Sequence, residues 1–207
     1  MRMKRAKVVK TVIIMALLVG SILLFYLHLT RRNSEAVSAE AAGSRAVQEM
    51  TAAQKLVAEA PFKEYPSTPV QLVKYYNDLT VCLYNEDCTE SEQKALMLIM
   101  RKYMDEELLS NQTEAEQLIE LRKDLDTFKK QEIKIYSVDV TPSLDVDFFT
   151  YDDHECARLY SNYTMKGIVD GSMAYNTIRQ VFILRKNAEG HWKIYGYKNE
   201  EETGDIQ

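Results

Sequence analysis

Residues 11–29 read TVIIMALLVGSILLFYLHL and contain no charged side chain. In lipid every backbone N–H and C=O must be bonded within its own segment, and a helix of this length, rising about 1.5 Å per residue, roughly matches a ~30 Å hydrocarbon core. The run therefore reads as a single membrane-spanning helix. Arg2, Lys4, Arg5, Lys7 and Lys10 precede it, whereas only Arg31 and Arg32 follow before the first acids at Glu35 and Glu40. That Lys and Arg excess sets the N-terminus in the cytoplasm and the C-terminal domain outside the cell membrane. A cleaved secretory signal fits less well. The run exceeds an h-region of about 7–15 residues, and Arg31-Arg32 stands before the small-residue sites near Ala36 and Ala39.

The anchor divides the chain. Residues 1–10 form a basic cytoplasmic tail, 11–29 the transmembrane helix, 30–60 an Ala-rich stalk, 61–200 one extracytoplasmic domain and 201–207 an acidic tail. The stalk is rich in helix formers but too poor in large apolar residues to bury a broad face. Fully helical, it would hold the domain about 40 Å from the membrane. Pro61, Pro66 and Pro69 mark the boundary of the domain. Residues 1–32 hold seven basic residues and no acid, which leaves 19 Lys and Arg against 31 Asp and Glu, a formal charge of about −12. A domain of that sign repels phosphate backbones and anionic head groups, so nucleic acid is not the expected partner.

Beyond the boundary the apolar spacing is helical. Thr68, Pro69 and Gln71 supply an N-cap, a first-turn proline and a capping-box partner, and Leu72, Tyr76, Leu79 and Leu83 form one stripe. A second capping box, Thr89 with Glu92, opens a helix carrying Leu96, Ile99, Met100 and Tyr103 on one side. A third, Thr113 with Glu116, precedes Leu118, Leu121, Leu125 and Phe128. Met97, Met100 and Met104 are expected in the shared core rather than in an adaptable groove. From residue 133 the period changes to two. Ile133, Ile135, Val138 and Val140 alternate with polar neighbours, with a slip at Ser137 that suggests a bulge. Residues 156–169 then set Ala157, Leu159, Ser161, Tyr163 and Met165 on one face. After an Asp170-Gly171 turn, Ile178, Phe182 and Leu184 face one way and Val181 and Ile183 the other. A turn at Asn187–Gly190 leads to a last strand, HWKIYGYK. Helices followed by an antiparallel meander define the class as α+β, with three helices on a curved four-stranded sheet.

Three cysteines, Cys82, Cys88 and Cys156, cannot all pair. On one helix Cys82 and Cys88 would point about 240° apart. A Cys82–Cys88 disulfide therefore requires Cys88 to lie beyond the helix end, which Asn85-Glu86-Asp87 permits; ordinary unbridged thiols are the alternative. Asp145, Asp147, Asp152, Asp153, His154 and Glu155 carry oxygen and imidazole ligands, but their spacing matches no metal-binding loop. The cluster reads as a solvated connection, and no metal is expected. There is no Gly-rich phosphate loop, C-x-x-C or nucleophile elbow, so no cofactor and no catalytic residue is assigned.

The order of elements, closed by Gly190-His191-Trp192-Lys193-Ile194-Tyr195-Gly196-Tyr197, resembles the NTF2-like (cystatin-like) fold, a curved sheet wrapped round helices to make a cone. Tyr65-Pro66-Ser67-Thr68-Pro69, Leu83-Tyr84-Asn85-Glu86, Asp105-Glu106-Glu107-Leu108-Leu109 and Trp192-Lys193-Ile194-Tyr195-Gly196-Tyr197 further resemble uncharacterised, membrane-anchored extracytoplasmic domains of Gram-positive Clostridia. The resemblance implies a fold and a location but no activity. It makes Tyr160, Tyr163, Tyr175, Arg179 and Tyr195 the candidate lining of a cone mouth or an interface. On these grounds the leading expectation is a non-enzymatic binding or scaffold module with a protein or envelope partner, a second copy of the chain among them. The rival is a small isomerase or hydrolase using a cone-buried carboxylate.

Overall fold

The computed structural model describes residues 50–169 and 172–200. The anchor expected at 11–29, the basic tail, most of the stalk, the Asp170-Gly171 turn and the acidic tail lie outside them. Among the described residues no helix is long and apolar enough to cross a membrane. Five helices and five strands follow one another: α1 Ala52–Glu59, α2 Pro69–Asn85, α3 Glu90–Arg101, α4 Glu106–Ser110, α5 Glu114–Lys130, then β1 Lys134–Val140, β2 Asp147–Tyr151, β3 His154–Val169, β4 Ser172–Lys186 and β5 Trp192–Asn199. The class is α+β, as the change of period predicts.

Each long helix starts at a threonine whose hydroxyl accepts from the third residue of the helix. Thr89 and Glu92 bond reciprocally, as do Thr113 and Glu116. At α2 the expected return bond differs. Gln71 reaches past Thr68 to the backbone N–H of Ser67 at 3.1 Å. Helix α1, opened by a Thr51–Gln54 capping box, falls in the stretch read as stalk. Its Ala53 nevertheless belongs to the core, where the helix packs on α3. The expected stripes of α2 and α3 are buried, including Leu72, Tyr76, Leu79, Leu83, Leu96 and Met97. Helix α5 packs more loosely: Leu121 and Leu125 are half-buried at the margin of the core.

The antiparallel sheet runs β1-β3-β4-β5, with β2 also paired to β3. Strands β1 and β2 thus lie end to end along one side of β3, opposite its residues 161–166 and 154–158. The register of β1 shifts between Ile135 and Ser137, one residue from the slip read in the sequence. The expectation of three helices on four strands is corrected to five helices, α1 and the short α4 being the additions, and five strands among the described residues. The acidic stretch is not a loop: Asp147–Tyr151 pairs back on β3 through a tight turn, where Asp152 and Asp153 take φ of 49° and 61°. Asp tolerates that left-handed conformation better than most residues because its short side chain bonds locally.

The inner face of β3 and β4 meets α2. Ala157, Leu159, Phe182 and Leu184 are fully enclosed. Two sheet edges are closed by groups from the helical layer. Asn85 accepts from the Ile135 N–H at 2.9 Å and donates to the Ile135 carbonyl at 2.8 Å, so its amide stands in for a neighbouring strand beside β1. At the other side, the Ile194 N–H donates to Tyr103 at 2.8 Å and its carbonyl accepts from Asp105 at 2.9 Å.

Replacing Asn85 by Ala removes both bonds to Ile135 and leaves a partly buried donor and acceptor unpaired. The expected loss is about 1–3 kcal/mol in urea denaturation, with faster hydrogen exchange at Ile135; a loss within about 0.3 kcal/mol would refute the bridging role.

Candidate functional site

Between α2 and the inner face of the sheet, where the expected cone would open, lie the chain's own side chains. Asn77 of α2 donates to Ser161 Oγ at 2.9 Å and accepts from the Tyr163 hydroxyl at 2.6 Å, and all three residues are buried. Tyr76 packs its ring against Phe182 and Tyr197. Burial pushes Tyr163 and Tyr76 well above the ordinary phenol range, and pushes Tyr84 up to about 12 with help from Asp124. These groups hold position, and the three phenols keep their protons near neutrality. The buried carboxylate of Asp105 lies elsewhere, at the start of α4. Arg185 grips it with two nitrogens, one bond being 3.1 Å, and the side-chain exposures are 15 % and 6 %. This ion pair ties the α3–α4 connection to the sheet.

The candidate residues divide between the two faces of the sheet. Tyr163 points inward. Tyr160, Tyr175, Arg179 and Tyr195 belong to the outer face, where cations stack on rings. The Arg179 guanidinium sits 3.9 Å from the Tyr160 centroid, and that of Arg185 4.4 Å from Tyr195, whose hydroxyl donates to Glu107 at 2.9 Å. Tyr175 meets Tyr136 edge-on at 5.5 Å, and Lys166 lies 5.6 Å over Tyr136. Beside this pair stand Ile168 and Met173, directly opposite one another across the hairpin. The four side chains are 52–62 % exposed. They form an apolar and aromatic patch at the distal end of the β3–β4 hairpin, and nothing among the described residues covers it.

Tyr136, Ile168 and Met173 were not singled out in the sequence. A signal existed: they fall on the polar phase of their strands, where an apolar residue has no core to fill. Asn77 and Ser161 carry no such mark, since a polar residue at a core position becomes visible only when its partner is found.

The cysteines are free thiols, so the Cys82–Cys88 bridge is absent here. Cys88 does lie past the end of α2, but its Sγ is turned to the Cys82 carbonyl, 3.7 Å away. Burial and the adjoining Cys82 push its thiol up to about 12, which suppresses thiolate chemistry. Cys88 lines a cavity of about 360 Å³ with Leu83, Tyr84, Gln93, Leu125 and Phe128. On its rim Lys129 pairs with Asp87 at 2.9 Å and Lys134 donates to the Asn85 carbonyl, while Glu86, Asp126 and Glu132 also line it. Among the described residues no group of three His, Cys, Asp or Glu side chains is placed to hold a metal ion. Asp147 of the acidic stretch instead pairs with Arg158.

Two outcomes follow from the buried groups. Arg185→Ala strands the Asp105 carboxylate inside and is expected to cost about 3–5 kcal/mol, whereas Arg179→Ala, on the exposed face, is expected within about 1 kcal/mol; denaturant titration compares them. Raised tyrosines also give stability a sign against pH. The folded chain keeps protons on Tyr84 and Tyr163 that the unfolded chain releases near pH 10, so stability is full below about pH 10 and falls as pH rises from there toward about 12. Guanidinium midpoints, read with phenolate absorbance, check this; a flat midpoint across that window would contradict it.

The sequence matches the family described as Domain of unknown function (DUF6715) over residues 1–197. No curated protein matches it. Among solved structures, one similar to it is an IcmL-like type IV secretion system protein from Legionella pneumophila, at 11 % identity and a TM-score of 0.38, covering 70 % of this chain and 99 % of that one. Another is the intermembrane space region of the chloroplast protein ARC6, at 11 % identity and a TM-score of 0.31, covering 65 % and 98 %. Likenesses at this level do not say what the chain does.

Proposed function

We propose that the chain, which belongs to the DUF6715 family of unknown function, is a membrane-anchored extracytoplasmic module that binds protein through the outer face of an NTF2-like sheet. The exposed cluster of Tyr136, Ile168, Met173 and Tyr175 carries this reading. A monomer rarely leaves contiguous apolar surface uncovered, and tyrosine is a residue type enriched where one protein meets another. The neighbouring Arg179–Tyr160 stack presents a rigid cation–aromatic pair with little side-chain freedom left to lose on binding. The uncharged run at 11–29 and the basic tail before it support the anchor and its direction. The inner face supports binding over catalysis: its buried Asn77, Ser161 and Tyr163 are held by one another. The rival enzyme needs a desolvated Asp, Glu or His facing an open cavity, and the buried Asp105 is neutralised by Arg185.

A photo-crosslinking amino acid at Thr177, in the full chain in its own cells, is expected to give adducts that the double variant Tyr136→Ala/Tyr175→Ala loses. The same probe at Glu114 on the helical side is expected to give none. Equal labelling at both positions, or none at Thr177, would overturn the proposal. The anchor is checked by alkaline carbonate extraction: the chain is expected to stay with the membrane, with residues after 30 open to external protease.

A further inference from the structure

Strand β4 is longer than its neighbour. Strand β5 pairs with it only from Lys186 to Gln180, and one further bond, from the Glu200 N–H to the Arg179 carbonyl at 2.8 Å, ends the ladder. From Ser172 to Ile178 the side of β4 away from β3 has no partner among the described residues.

The direction of its backbone groups follows from two observations. The Arg179 carbonyl points toward β5, away from β3. Tyr160, whose N–H and carbonyl both engage Thr141 of the β1 side, likewise points away from β4. Backbone groups alternate sides along a strand, so the N–H and C=O of Met173, Tyr175 and Thr177 all face the open edge. These residues belong to the outer face, so the unpaired backbone groups adjoin the exposed apolar patch.

Edges of this kind are normally blunted with lysine, proline or a bulge. Residues 172–178, SMAYNTI, contain no charged residue and no proline, and their register with β3 is unbroken. On a domain whose charge is strongly acidic, this is a segment that two copies can bring together without opposing like charges.

We infer that a second copy of the chain occupies this edge, the two β4 strands pairing antiparallel about a two-fold axis at Tyr175. This rests on the reading of the outer face as protein-binding and names its partner. The register is set by the hydrogen bonds. With Tyr175 opposite its own counterpart, Met173 falls opposite Thr177 and Thr177 opposite Met173. All three are then hydrogen-bonded pairs, and every open N–H and C=O of the segment is used. Moving the axis to Asn176 would set Met173 against Arg179, whose carbonyl is already taken by Glu200. The Tyr175 register also keeps Met173 and Tyr175 of both copies on one face, next to Tyr136 and Ile168, so the apolar patches merge. On the inner face Ala174 meets Asn176, a pair small enough to leave the strands at their usual spacing of about 4.8 Å.

The experiment uses the full purified chain with Cys82, Cys88 and Cys156 replaced by Ala. Tyr175→Cys is expected to give a disulfide-linked dimer under mild oxidation, while Asn162→Cys, exposed near the middle of the outer face, gives none. Thr177→Pro removes an N–H that faces the edge and, besides it, only the exposed 3.4 Å hydroxyl contact with Thr164. It is expected to halve the particle mass measured by light scattering and leave the thermal midpoint unchanged. A monomeric parent chain, equal cross-linking at both positions, or a Thr177→Pro variant that stays dimeric would each overturn the inference. So would a monomeric chain that dimerises only after residues 201–207 are deleted, since its own tail would then be the native occupant. If dimerisation fails while photo-adducts at Thr177 persist at the mass of a different protein, only the identity of the partner is lost; if both fail, the binding face is lost as well.

Discussion

Helix α2 lies on the inner face of the β3–β4 hairpin, and the apolar area that the two remove from water organises everything else in the domain. Leu72, Val73, Tyr76, Leu79 and Leu83 come from the helix and Leu159, Phe182 and Leu184 from the strands, all enclosed. Each such side chain is worth roughly 1.5–3 kcal/mol relative to exposure. Between these apolar rows lies the Asn77–Ser161–Tyr163 set, whose bonds have specific geometry where the apolar contacts have little. A shift of α2 along the strands would leave these buried groups unpaired, so the polar set fixes the position that the apolar rows only favour.

That contact also makes the two faces of the sheet unequal. With α2 covering the inner face of β3 and β4 around Leu159 and Phe182, the side chains that reach solvent there are those of the outer face. The helical layer additionally supplies the pieces that seal two sheet edges, Asn85 beside β1 and Tyr103 to Asp105 beside β5. The distal half of β4 extends past that cover. Exposed aromatic side chains and open backbone groups coincide there because β4 continues to Ser172 while β5 stops pairing at Gln180.

Much of this was legible in the residue order, for a local reason. Capping threonines, stripes at helical spacing and the alternation along β3 and β4 depend on neighbours a few residues apart, and each appears in the structure where its pattern predicts. Strand β2 was hidden because its acids mimic a solvated loop, while its pairing depends on a turn in which Asp152 and Asp153 both adopt positive φ. That helical stalk residues join the core as α1 was hidden because only Ala53 is fully buried there, with Leu56 and Val57 partly so, too little to register as a stripe. Of the five candidate residues Tyr163 faces inward and the other four outward, a division that depends on which face of the sheet α2 covers.

The chain by itself therefore determined the change from helices to strands, the class, the acidic balance after residue 32 and the charge-free run at 11–29, because these are properties of composition and short-range period. Only the tertiary structure decided that Asn77, Ser161 and Tyr163 meet in the interior, that the Cys88 thiol bonds to the Cys82 backbone carbonyl without a disulfide, and that Ser172–Ile178 has an open edge among the described residues. Those facts rest on which distant segments meet and where one strand outruns another, and a side-chain period has the same value whether or not a partner lies beside it.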